Sequence, residues 1–447
     1  MRNCMTLALV LLLCITAAAP SRAGLYPFKA ETYRLDNGME VVLIKYGHDG
    51  VMMDFLAFDV GMKSEKKPDE IEYTHLMEHL MFRDSKNYSV EKVDEYYSRY
   101  GVYSQGFTES DYTCYYRIFP RDAFNRLSEI MADKLVNLNV PDDQYRAETG
   151  AVLGEYLAHY RTPLSMLDSR LYQIAYSVHP YRDMPEHLDT LKKMPENRER
   201  VMSFYRDYYK PNHCRLVVAG DFDEKATREI ISRNYGPLKP GKALPEIPAE
   251  PAQQAERKSE IQYPGKTSAY LQISYHIPGY DPKNMEVPAI DLIRDLYFSE
   301  SSSLYRRLVY QQKLVTSFSI PGGCSTRDPG LFTSLLKLRS RDDIGKVREI
   351  FFSEVDTMRN SLCNSAKLDG IREKRRFRTL TNMDSLNRIA FMFATPYFLS
   401  GNPQAVNLYY QSYFKVTPEV IRAAAAKYLT EKNRTVITLV EGKDAHE

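Results

Sequence analysis

The spacing of hydrophobic positions changes several times along the chain, and each change marks an element. An apolar run over 7–19 opens the sequence and is too short to span a bilayer. Leu35-Asp36-Asn37-Gly38 then reads as a tight turn into a strand over 40–44, with 51–60 as its neighbour. Apolar residues recur at helical spacing over 74–81, 90–100, 121–137 and 142–160. Between these helices, 111–119 alternates like a half-buried strand, whereas 216–220 is short and wholly apolar, as a buried strand should be.

The pattern breaks at a proline-rich stretch. Pro237, Pro240, Pro245, Pro248 and Pro251 fall within fifteen residues beside Gly236 and Gly241, which predicts a stiff, extended linker. Beyond it, strands are expected over 269–276, 313–320 and 330–337. The two sides of this linker end alike. A helix over 201–209 leads through Asn212 into a strand over 215–219, and one over 420–429 leads through Asn433 into 436–440. The offset of 221 residues is about half of the 447, which points to a duplicated domain.

Composition narrows the class. With 43% hydrophobic and 26% charged residues, wholesale disorder, collagen and coiled coil are excluded. Lys and Arg number 60 against 58 Asp and Glu, and the excess is Arg2 and Arg22 in the first 23 residues. The remainder is electrically balanced, so no general attraction to nucleic acid or anionic lipid is expected.

The N-terminus has the form of a secretion signal, 1–23: a basic start at Met1-Arg2-Asn3, the apolar run, and Ser21-Arg22-Ala23 before Gly24. Cys14 lacks the small residues that precede a lipid-modified cysteine, and no later stretch reaches 18 apolar residues, so no membrane anchor is expected. The compartment implied is the periplasm or the exterior. Cys114, Cys214, Cys324 and Cys363 remain after cleavage, none in a C-x-x-C pair, and free buried thiols are expected.

The chemistry concentrates in His75-Leu76-Met77-Glu78-His79. On a helix, His75 and His79 project from one face a turn apart, close enough for two nitrogens to reach one zinc ion. Glu78 points near the same face and is placed to take a proton from an attacking water. Apolar Leu76, Met77, Leu80 and Met81 argue that the helix is buried, where His and Glu require partners that a metal would supply. A third ligand is needed. Glu148 and Glu155 share a face of the helix over 142–160, and spacing alone does not choose between them.

This motif resembles the inverted zinc-binding motif of the pitrilysin/insulinase metallopeptidases, which include mitochondrial processing peptidase. The resemblance extends to Leu35-Asp36-Asn37-Gly38, to FYRDYYKPNHCRLVVAG over 204–220, to Ser301-Ser302-Ser303-Leu304-Tyr305 and to Asp328-Pro329-Gly330-Leu331-Phe332. It implies Glu155 as third ligand to one Zn2+ per chain, Glu148 as an auxiliary acid, and Glu78 as the catalytic residue. It also implies an α+β fold: two homologous domains, each a mixed, mostly antiparallel sheet packed by helices, closing as a clamshell around a peptide or unfolded polypeptide. The domains would be 24–236, catalytic, and 259–447, non-catalytic, joined by a linker over 237–258.

Two departures stand out. The family's Asn-Ala-x-Thr edge strand, which pairs with substrate, corresponds here to Gln105-Gly106-Phe107-Thr108. Gln105, Gly106 and Thr108 are therefore the expected substrate-binding residues, by strand addition. The family's Arg and Tyr in the second domain correspond to Val309 and Thr316. That loss implies a heterodimer with a zinc-lacking homologue that supplies the pair. Two other readings are a metal-free scaffold subunit, separated by zinc content, and a zinc hydrolase of non-peptide substrates, separated by peptide cleavage.

Overall fold

The computed structural model describes residues 24–47, 49–65, 70–159, 162–183 and 188–442. The expected secretion signal, 1–23, lies outside the described residues. The first sheet comprises β1 (Ala30–Arg34), β2 (Glu40–Lys45), β3 (Val51–Phe58), β4 (Tyr103–Thr108), β5 (Thr113–Pro120) and β6 (Cys214–Gly220), in the order β1-β2-β6-β3-β5-β4. The second comprises β7 (Arg257–Tyr263), β8 (Tyr270–Ile277), β9 (Val315–Ser319), β10 (Gly330–Leu338) and β11 (Arg434–Glu441), in the order β7-β11-β8-β10-β9. Without β1, the first order is the second order repeated. Each sheet has one parallel pair at the same place, β2 with β6 and β7 with β11, and is otherwise antiparallel. The fold is thus two homologous α+β domains, and the duplication lies in the topology itself.

The turn before β2 closes through Gly38 N–H to Leu35 C=O at 2.9 Å, with Gly38 at φ 90, where a side chain would be strained. The helices α1 (Tyr73–Leu80), α2 (Val90–Tyr100), α3 (Phe124–Asn137), α4 (Asp142–His159) and α5 (Pro163–Ala175) follow in the first half. The central strands are apolar without alternation because both of their faces are covered. Leu216 and Val218 of β6 pack under α1, α3 and α4, while Val217 and Ala219 pack against Ile389, Phe393 and Tyr397 on the opposite face.

Those last three residues belong to helix Leu386–Ser400 of the second half. The exchange is reciprocal. Leu167 and Leu171 of α5, from the first half, pack on Ile437 and Leu439 of β11. Polar contacts also cross between the halves: Lys63 Nζ lies 2.6 Å from Asp111 and 2.7 Å from Asp328. Tyr176 donates to Pro329 C=O at 3.0 Å, and the backbone N–H of Arg327 donates to Asp111 Oδ2 at 2.9 Å. Residues 237–256 contain no helix or strand. All four described cysteines are free, Cys114 and Cys214 buried and Cys324 and Cys363 half-buried. No described helix is long and apolar enough to cross a membrane.

Candidate metal centre

Helix α1 is set against the first sheet by Leu76, Met77 and Leu80, all fully buried, and Tyr115 of β5 donates to Met77 C=O at 3.1 Å. Its N-terminus is held from outside the helix. Glu65 accepts the backbone N–H of Glu72 at 2.9 Å and of Thr74 at 2.8 Å, so one buried carboxylate satisfies two donors of the first turn. Burial, reinforced by the Glu72 charge, pushes the Glu65 carboxyl up to about 8, although Thr74 opposes the shift.

Three of the residues singled out from the spacing come together. The His75 and His79 ring centroids are 5.0 Å apart, and ligand atoms of His75, His79 and Glu155 all lie within 4.8 Å of one another. Glu155 faces both imidazoles on their outer nitrogens: its Oε2 is 3.4 Å from His75 Nε2 and its Oε1 is 3.9 Å from His79 Nε2. A tetrahedral ion with bonds of ~2.0–2.1 Å holds its ligand atoms about 3.4 Å apart, so the donor set fits zinc with small adjustments.

Glu148 stands elsewhere. Its Oε2 accepts from His79 Nδ1 at 2.9 Å and its Oε1 pairs with Arg83 Nε at 2.7 Å. Its side chain is 9% exposed against 52% for that of Glu155. The His79 hydrogen bond, with Arg83 adding to it, holds the Glu148 carboxyl below the usual carboxylate range. The two glutamates are thus told apart by the nitrogen each addresses, a distinction that spacing along α4 does not contain.

His75 has a carboxylate of its own, which inspection of the motif missed. Glu72 Oε2 lies 2.9 Å from His75 Nδ1. Burial lowers the His75 pKa, but the Glu72 hydrogen bond and the charges of Glu72, Glu78 and Glu155 outweigh it, leaving the value raised. The available signal was the i, i+3 spacing of Glu72 and His75.

Glu78 meets the edge strand. Thr108 Oγ1 donates to Glu78 Oε2 at 2.8 Å, and the Cα of Gly106 is so close that a Cβ there would stand 3.0 Å from Glu78 Cγ. Thr108 and Gly106 thus face Glu78, whereas Gln105 is exposed on the alternate face of β4. β4 pairs with β5 on one side and lies at the end of the sheet order.

The comparisons with known proteins agree with this architecture. Residues 56–184 match the family described as Insulinase (Peptidase family M16), and residues 195–375 match the Peptidase M16 inactive domain. The zinc protease PqqE of Helicobacter pylori is 23% identical over 441 residues, covering 97% of this chain and 98% of that protein. A crystal structure of a protease from Helicobacter pylori superposes with a TM-score of 0.85 at 22% identity, covering 92% of this chain and 99% of the other. The periplasmic protease PqqL of Escherichia coli gives 0.73 at 17% identity, covering 94% of this chain and 48% of that one. With both halves matched in order by the two parts of one family, the chain belongs to the insulinase/pitrilysin family of peptidases, M16.

Proposed function

We propose that this chain is a zinc metalloendopeptidase that hydrolyses peptides or unfolded polypeptides in the periplasm or outside the cell. The observation that carries the reading is the convergence of His75, His79 and Glu155 ligand atoms within 4.8 Å beside Glu78. One zinc ion per chain, held by those three residues, supplies Lewis acidity to a carbonyl and eases the deprotonation of water. Glu78, oriented by Thr108, accepts the proton of the attacking water and delivers it to the leaving amine nitrogen. Glu148 holds His79 with its outer nitrogen toward the ion. The free edge of β4 receives the substrate as an added strand, with alternate residues of the segment that holds Gln105, Gly106 and Thr108 supplying the backbone hydrogen bonds.

Export rests on the signal-like residues 1–23 and on the periplasmic description of the Escherichia coli relative. A partner completes the reading. Val309 packs against the second core and Thr316 donates to Lys337 C=O at 3.2 Å, so neither offers substrate a cation or a phenol. A zinc-lacking homologue would contribute an Arg and a Tyr, and copurification tests this. Turnover by the pure chain equal to that of extract would remove the partner.

Metal analysis and turnover of three variants test the centre. Glu78→Gln is expected to retain one zinc per chain and lose nearly all turnover, whereas His75→Ala and Glu155→Ala lose the zinc. Loss of metal in Glu78→Gln as complete as in His75→Ala would overturn these assignments.

A further inference from the structure

We infer that Glu72 is a positioning residue that fixes the ring of His75 and the nitrogen it presents to the metal. The inference rests on His75 being a ligand. Glu72 precedes α1 at φ 68, ψ 8, in the left-handed region that residues with a side chain rarely occupy, and one other non-glycine described residue, Lys313, has a positive φ. A glycine would adopt this conformation without strain. The chain instead carries a glutamate here, and its carboxylate ends 2.9 Å from His75 Nδ1.

The backbone conformation and the hydrogen bond belong together. The Glu72 N–H is held by Glu65 Oε2 at 2.9 Å, which fixes the residue at the helix start. From there its side chain runs alongside the first turn to reach a ring three residues on. Nδ1 then carries the proton, and Nε2, which faces Glu155 at 3.4 Å, keeps its lone pair. Glu148 does the same for His79 from a different helix, also at 2.9 Å. Each imidazole therefore has one nitrogen on a carboxylate and the other in the ligand cluster. Strain retained at one backbone position next to a ligand cluster is the signature of a conformation kept for function.

The test exploits the strain. Glu72→Gly suits the backbone, so the metal-free variant is expected to melt at or above the temperature of the unaltered chain. Its zinc affinity, measured by competition with a chromogenic chelator, is expected to fall 10- to 100-fold. Glu72→Asn tolerates the same backbone but is too short to reach Nδ1, and should show the same loss should the glycine variant fold poorly. Glu72→Gln keeps an acceptor for the Nδ1 proton and should recover part of the affinity. Nitrogen-15 spectra of the metal-free chain in mildly alkaline buffer give a readout that stability alone does not move. His75 should hold its proton on Nδ1 in the unaltered chain and share it between both nitrogens in the Gly and Asn variants. Zinc affinity within twofold of normal, or an unchanged tautomer, in a folded Gly or Asn variant would overturn the role of Glu72. Zinc retention in His75→Ala would instead overturn the metal centre beneath it.

Discussion

Gly106 and Thr108 act on Glu78 from the same strand, one by lacking a side chain and the other by having a hydroxyl. A Cβ at position 106 would stand 3.0 Å from Glu78 Cγ, 3.2 Å from Phe82 Cε2 and 3.3 Å from Glu78 Oε1, so either the Glu78 side chain or the strand must yield. Gly106→Ala and Thr108→Val leave His75, His79 and Glu155 untouched. Both variants are expected to hold zinc normally and to turn over about 10- to 100-fold more slowly, since misplacing a reacting group by fractions of an ångström carries that cost. Stopped-flow or steady-state cleavage of a quenched peptide, beside metal analysis, checks this. Full turnover in both variants would mean that Glu78 does not carry the proton. At this scale the sequence was informative for His75, Glu78 and His79, which helical geometry alone fixes relative to one another, though not for Glu72 at the start of the same helix. The partners of Glu78 on β4, of His79 on α4 and of α1 in Glu65 depend on how elements cross, and no period along the chain reports a crossing.

The start of α1 is where element and chemistry meet. Glu65 closes the first turn from seven to nine residues upstream, and its carboxyl titrates near 8 in the folded chain rather than near the ordinary 4.5. Between those values the unfolded chain has released this proton and the folded chain has kept it. Stability therefore falls as pH rises from about 4.5 to 8 and levels off above that range. Glu65→Gln removes the titration, so the loss in urea midpoint between pH 5 and pH 8 should be smaller in the variant than in the unaltered chain. Equal losses would show that Glu65 does not carry this dependence. The elements themselves were legible where the local pattern decides. α2 runs over Val90–Tyr100 as its spacing predicts, and the apolar run beginning at Leu216 lies in β6. The pattern did not single out α5 or helix Leu386–Ser400. Their apolar faces answer to sheets built from the other half of the chain, so nothing adjacent in sequence frames them.

The exchange of those two helices ties the halves into one folding unit. Helix Leu386–Ser400 covers Val42, Ile44, Phe55, Val217 and Ala219 of the first sheet, and α5 covers Ile437 and Leu439 of the second. The 221-residue offset and the shared strand order show a duplicated plan, but duplication does not make each copy self-sufficient. Residues 24–236 alone would leave five fully buried side chains of one sheet face in water, at about 1.5–3 kcal/mol for each large one. The covalent connection over 237–256 contributes no strand or helix to either sheet. Cutting an engineered protease site in that stretch should thus give a two-chain molecule that elutes as the intact protein, keeps its zinc and still cleaves peptides. The first half expressed alone should aggregate or stay partly unfolded, and coexpression with residues 257–447 should restore it. Clean separation of the cut halves in native buffer, each soluble and folded, would show that the exchanged helices are dispensable. On the proposed function, the same joining would limit substrate. Chains short or unfolded enough to lie along β4 between two sheets fastened through Lys63, Asp111 and Asp328 should be cut, and a stably folded, protease-resistant protein spared.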